Sequence, residues 1–318
     1  MQHPTEYRAP AIFRDPHMHT IWAARVRKVE PPGWQRRRID LPDGDFLDVE
    51  RLLGGHRQAV ILLHGLEGSA DRTYMRGMAR ALHATGRDVL AVHMRGCSGE
   101  PNRLPRSYHS GATEDLRAVI ATFGGEYEAF QAVGFSLGGN LLLKYLGEEG
   151  TQSRIQAAMA VSVPCDLAGS SDLLAESGGR LYMWNFMRSL RRKVHQKAEA
   201  FPGVVSAEGV EDMRTFRAFD DAYTAPLHGY RDARHYWAEC SSNRFLSAIR
   251  VPTLLVSAAD DPFLSAGCYP IDTCRESTFV DLEIPSTGGH VGFLQGGLFS
   301  GEPAWTEERA VAFFAAVT

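Results

Sequence analysis

Ser136 sits in AVGFSLGGN (132–140), with Gly134 two residues before it and Gly138 two residues after. A G-x-S-x-G pentapeptide between an apolar run and the helical pattern LLLKYL suits a strained strand-to-helix turn. The glycines let two chain segments pass closely while the turn lifts a hydroxyl clear of them. A serine hydroxyl is a weak nucleophile until a base takes its proton, so the chemistry this arrangement would serve is covalent acyl transfer. The pentapeptide alone decides little, because an N-cap serine among packing glycines has the same composition.

A base is expected late in the chain. GGHVGF (288–293) offers His290 between glycines, after the strand-like TFVDLEIP (278–285). An orienting carboxylate is expected behind the preceding strand candidate, VPTLLVSA (251–258), where Asp260 and Asp261 are adjacent. Asp261 lies three residues past Ala258 at the strand end and is followed by Pro262, which favours it. Asp260 is then free to bond nearby backbone, as turn aspartates commonly do. The chain order becomes Ser136, Asp261, His290. A tetrahedral oxyanion needs preorganised donors. The N–H of Leu137, next after the serine, and that of Leu66 in LLHGLEG (62–68) are the candidates.

These side chains need a scaffold that brings strand ends together. RRRIDLPDGDFLDVERL predicts a hairpin with its turn at 42–44. QAVILLHG (58–65) reads as a strand buried on both faces, DVLAVHMRG (88–96) and 130–135 as further buried strands, and 154–164, 251–258 and 278–285 as three more strands. Helical periodicity covers 74–82, 113–123, 137–147 and 305–317. Strands separated by helices predict a mainly parallel, doubly wound α/β sheet. The rhythm breaks between Cys165 and Arg250, so a helical cap insertion over about 166–230 is expected. The whole chain, 1–318, reads as one domain with an N-terminal extension over 1–35.

The 318 residues carry 34 Lys and Arg against 38 Asp and Glu, a net charge of −4 that gives no basic field for nucleic acid. No apolar run is long enough for a membrane span. The opening MQHPTEYRAPAIFRDP lacks the layout of a secretory signal. Five cysteines without a C-x-x-C pair argue against a disulfide framework, and a cytoplasmic location is expected.

With its motifs placed, the chain resembles the YheT-like family of α/β-hydrolases, a branch that includes the ABHD phospholipase-type proteins. The resemblance rests on PHMHTIW (16–22), LPDGDFLDVE (41–50), LLHGLEGS (62–69) and HMRGCSGEPNRLPRSYHSGATEDL (93–116). It continues through GFSLGGNLLLKYLGE (134–148), TFRAFDDAYTAPLHGYRD (215–232), ADDPF (259–263) and GGHVGF. It implies an α/β-hydrolase fold and a serine esterase with Ser136, Asp261 and His290 as triad and no cofactor. Family members often carry Asn at the position of Asp260, which again favours Asp261. Their N-terminal motif usually reads PHLQT, so Met18 and His19 depart from it, which bears on packing.

The expected partner is a small-molecule ester, with nucleic acid excluded and oligomeric state left open. Three functional readings stand side by side. One is a soluble carboxylesterase. Another is a lipase or phospholipase that touches a membrane surface through a basic cap helix. The third is a non-catalytic ligand-binding homologue, disfavoured because such proteins typically lose a triad member. In 180–201, Met183, Met187, Leu190, Val194 and Phe201 share a face, and Arg188, Arg191, Arg192, Lys193 and Lys197 are expected away from it. Arg95, Arg103 and Arg106, with Asn102 and His109, either hold a polar head group or fix their own loop. No metal is expected, since His17 and His19 lack a third ligand at suitable spacing. Cys97 lacks an elbow and reads as a structural thiol.

Overall fold

Along Gln58–Leu63 (β3), Ala59, Ile61 and Leu63 enter one apolar layer while Val60 and Leu62 enter another. A strand whose successive side chains point oppositely, with no polar face, must be covered on both sides. The computed structural model, which describes residues 7–299 and 301–317, has that sandwich. Residues 1–6 of the expected N-terminal extension lie outside the described residues.

The hairpin is β1 (Gln35–Asp40) and β2 (Phe46–Leu52). Beyond β3 come β4 (Asp88–His93), β5 (Ala129–Phe135), β6 (Ile155–Val161), β7 (Thr253–Val256) and β8 (Val280–Glu283). They form one sheet in the order β1-β2-β4-β3-β5-β6-β7-β8, parallel from β4 through β8, with the hairpin antiparallel at one edge. Helix α1 is Pro16–Arg25, α2 Thr73–His83, α3 Thr113–Phe123 and α4 Leu137–Glu149. Met75, Met78 and Leu82 of α2, with Phe313 and Phe314 of the helix Trp305–Val317, cover one face. Leu116, Val119 and Phe123 of α3, with Leu142 and Leu146 of α4, cover the other.

Between β6 and β7 the chain is helical, with α5 (Leu167–Ala175), α6 (Arg180–Ala200) and the helix Ala233–Cys240. Met183, Met187 and Leu190 of α6 join Leu174 of α5 and Phe263 and Leu264 from the loop after β7 in a separate apolar cluster. This packing seats the insertion over the C-terminal ends of the strands.

The expected sidedness of α6 needs correcting at two positions. Lys193 and Lys197 turn inward. The spacing 183, 187, 190, 194, 197 puts Lys197 on the apolar stripe itself, where its Nζ donates to Asn102 O at 2.8 Å and also to Leu104 O. Burial lowers that ammonium to about 8.

Candidate active site

The turn after β5 is tight because two glycines permit it. A Cβ on Gly134 would lie 2.6 Å from Gly138 O, and one on Gly138 would lie 2.5 Å from both Leu63 O and His64 O. Ser136 between them adopts φ +51°, a left-handed value rare for a residue with a side chain. Its backbone is held by Ser136 N–H donating to Val161 O at 2.8 Å and by Asn140 N–H donating to Ser136 O at 3.0 Å. A strained conformation of this kind persists only where its surroundings over-determine it.

Ser136 Oγ lies 3.0 Å from His290 Nε2. On the other side of the ring, Nδ1 lies 3.0 and 2.9 Å from the two carboxylate oxygens of Asp261. Asp261 is buried and also accepts the Phe263 N–H at 2.9 Å, which orients its carboxylate. Asp260 points elsewhere, accepting the Gly289 N–H at 2.9 Å, and burial raises its carboxyl above the usual range. Three residues separated by up to 154 positions thus form one hydrogen-bonded chain, and the aspartate in it is residue 261.

The loop carrying His290 is clamped from three sides. His290 N–H donates to Thr20 Oγ1 of α1 at 2.9 Å, Val291 N–H to Ser162 Oγ at 2.9 Å, and Leu294 N–H to His19 Nε2 at 2.9 Å. Thr20, His19 and Ser162 lie outside the motifs around Ser136, Asp261 and His290, and only the PHMHTIW motif hinted that the first helix matters. His17 meets Tyr182 OH at 3.0 Å, so the two N-terminal imidazoles serve separate structural partners.

Leu66 and Leu137 both line the cavity above Ser136. Among the described residues neither backbone N–H donates a hydrogen bond, and Leu137, as the first residue of α4, has no intrahelical acceptor. The loop holding Leu66 is fixed by His64. Burial pushes this imidazole down to about 3, and the neutral ring meets Gly65 O at 2.8 Å through Nδ1 and accepts the Met94 N–H at 3.1 Å through Nε2.

Glu67, at φ +52°, ties that loop to the insertion. Its Oε1 accepts Lys193 Nζ at 2.7 Å and Tyr108 OH at 2.8 Å, and its Oε2 accepts the hydroxyl of Ser189. Burial pushes the Glu67 carboxyl up, but the Lys193 charge and these hydrogen bonds outweigh it and leave the group below its ordinary range. Nothing in the sequence marked this pair, because 126 positions separate its members. Lys193 Nζ also meets Cys97 Sγ at 3.3 Å; burial raises that thiol to about 11, far from a reactive thiolate.

The cavity over Ser136 and His290 encloses about 1220 Å³ of empty space, open mouth included. Leu174, Phe186, Leu190, Val194 and Phe219 give it apolar walls. At another part of the wall the rings of His109 and His228 stand 4.2 Å apart. Burial pushes both down, His228 to about 4, so they are neutral at pH 7. Asp220 also lines the cavity; it accepts Trp237 Nε1–H at 2.8 Å, and burial raises its carboxyl to about 6. The blocks RSYHSG and TFRAFDDAYTAPLHGYRD therefore meet here. Arg95, by contrast, is bound by Asp43, Asp45 and Asp115, Arg103 by Asp40, and Arg106 by Asp43 and Glu114, so these arginines fix their loop.

A family model described as the alpha/beta hydrolase fold matches residues 58–297. The chain is 37% identical over 309 residues to YheT of Escherichia coli (strain K12), provisionally named an esterase, covering 93% of this chain and 89% of that one. It is 32% identical over 243 residues to phospholipase ABHD3 of Mus musculus, covering 76% of this chain and 59% of that protein's length. An esterase of Pyrococcus furiosus superposes with a TM-score of 0.63 at 16% identity, covering 99% of each chain, a likeness of fold.

Proposed function

This chain belongs to the YheT-like branch of the α/β-hydrolase family, and from that premise we propose that it is a serine hydrolase of carboxylic esters. The carrying observation is the 3.0 Å approach of His290 Nε2 to Ser136 Oγ, with Asp261 at 2.9 Å on the far side of the ring. Ser136 Oγ attacks the acyl carbon as its proton passes to His290 Nε2. Asp261 holds the proton on Nδ1, which keeps Nε2 free to act as base. The oxyanion takes the N–H groups of Leu66 and Leu137. His290 then protonates the leaving alcohol, and the acyl group remains on Ser136. A water attacks that ester, gives its proton to His290, and releases the acid while Ser136 regains its hydrogen. No cofactor takes part.

The apolar walls suit an acyl chain, and burying each methylene there stabilises the complex by about 0.8 kcal/mol. The test is turnover of p-nitrophenyl esters of graded chain length together with fluorophosphonate labelling. The expected result is labelling at Ser136 and hydrolysis that Ser136→Ala abolishes. Hydrolysis undiminished in Ser136→Ala would remove the proposal, and an unlabelled, inactive folded protein would favour the ligand-binding homologue. The five free cysteines suit a reducing compartment, and a cytoplasmic location belongs to this proposal.

One observation favours a lipid-directed variant of the same chemistry. Leu181 and Trp184 on α6 are 63% and 58% exposed, and Met18 and Ile21 are exposed on α1. The two helices touch through His17 with Tyr182 and Arg25 with Asn185, and Arg188 lies over the Trp184 ring. Exposed apolar side chains beside arginines suit the boundary of an anionic bilayer. Among the described residues no helix is long and apolar enough to cross a membrane. Co-sedimentation with phosphatidylglycerol vesicles, lost in Leu181→Ser/Trp184→Ser, would support this variant, and indifference to vesicles would leave the soluble esterase.

A further inference from the structure

Three side chains from three elements converge at the end of the sheet away from Ser136. His56 stands in the loop between β2 and β3, His83 ends α2, and Asp88 opens β4. One donor atom from each lies within 4.8 Å of the others. On the shared neighbour β3, Ala59 pairs with Asp88 whereas Leu63 pairs with Gly134, so the cluster and the serine turn lie at opposite strand ends. Four to six residues of strand separate them, about 15–20 Å.

The state of each group suits a cation. His83 Nδ1 lies 2.9 Å from Arg87 O. A carbonyl only accepts, so the proton sits on Nδ1, and Nε2 keeps the lone pair that a metal needs. Among the described residues, neither ring nitrogen of His56 makes a hydrogen bond. Its ring stands 5.8 Å from that of His83, centroid to centroid. Asp88 is only 3% exposed, yet among the described residues no lysine or arginine pairs with it. Its Oδ1 accepts the N–H groups of Gly54 at 2.7 Å and His56 at 3.2 Å, and its Oδ2 accepts Tyr127 OH at 3.2 Å. These donors aim the carboxylate without neutralising it. A buried carboxylate without a countercharge is costly, and a bound cation would supply one.

We propose that His56, His83 and Asp88 form a divalent transition-metal site of the zinc class. Two imidazoles and a carboxylate match the ligand preference of that class, with water completing the coordination. The half-burial of both histidines gives the ion a path from solvent. The ion clasps a loop, a helix end and a strand start, so its effect is on stability. Ester turnover at the distant serine does not depend on it. No motif announces the site, because positions 56, 83 and 88 have no recognisable ligand spacing and meet only through the fold.

The test uses the full chain, stripped with EDTA and titrated separately with Zn²⁺ and Co²⁺. Calorimetry should give one saturable site, Co²⁺ should show ligand-field absorption of imidazole and carboxylate coordination, and Zn²⁺ should raise the melting temperature. His83→Ala and His56→Ala, each checked for native circular dichroism, should weaken binding at least about tenfold and lose the Zn²⁺-dependent melting shift. Ester hydrolysis should be the same in stripped protein and in both variants, so this test and that of the serine mechanism fail separately. Absence of one-to-one binding in the wild type, or binding that survives unchanged in both variants, would overturn the proposal.

Discussion

The Phe263 ring lies flat on the His290 imidazole, with centroids 4.0 Å apart and planes 11° from parallel. Asp261, which bonds the edge of that imidazole, also accepts the Phe263 N–H. One short turn therefore sets both the in-plane and out-of-plane position of the ring. Replacing Phe263 with leucine keeps much of the volume but removes the flat face. The expected outcome is a fall in kcat of roughly fivefold, equivalent to the 1 kcal/mol or so of one stacked pair, with little change in KM for a short ester. Steady-state kinetics on p-nitrophenyl acetate checks it.

The adjacent aspartates should separate cleanly. Asp261→Asn cannot hold the Nδ1 proton as a carboxylate does, and a kcat loss of about 10³–10⁴ is expected, as in other serine triads. Asp260→Asn keeps an oxygen for the Gly289 N–H, and its loss should stay below about tenfold. Paired measurements on one substrate decide; equal losses would contradict the assignment of residue 261.

Breaking the link between Glu67 and Lys193 should loosen the insertion. Glu67→Gln leaves a largely buried ammonium without its countercharge, and a destabilisation of about 3 kcal/mol is expected. Adding Lys193→Met to Glu67→Gln should recover part of that loss, since neither charge is then stranded. Urea unfolding of the three variants gives the comparison. Because Glu67 is held below its ordinary pKa, its contribution is present at neutral pH and disappears as the pH falls through the acid range.

Asp220 has the opposite sign. Burial raises it to about 6, so the folded chain keeps a proton that the unfolded chain releases near pH 4. Its stabilising contribution is whole below about pH 4, declines as the pH rises toward 6, and is then lost. Asp220→Asn should therefore gain melting temperature relative to wild type at pH 7–8 and show no such gain at pH 4. A pH series of thermal melts on both proteins tests this, and a constant difference would refute it.

All eight strands among the described residues, and the chain order of Ser136, Asp261 and His290, which the fold brings into one hydrogen-bonded chain, could be read from the sequence, because buried strands and glycine-flanked turns leave local marks. Apolar runs bounded by glycine reflect burial on two faces, and G-x-S-x-G reflects backbones pressed together. The helix Pro16–Arg25 buries only His19, Thr20 and Ala23 and so leaves no apolar stripe in the sequence, yet its Thr20 hydroxyl supports the His290 backbone from 270 positions away. The lysines of α6 looked solvated by charge alone, and only tertiary contact shows their partners. The meeting of His56 with His83 and Asp88 left no local trace either. Periodicity records which side of an element is buried. It carries nothing about which distant polar group waits there, since that depends on how separate elements cross in space.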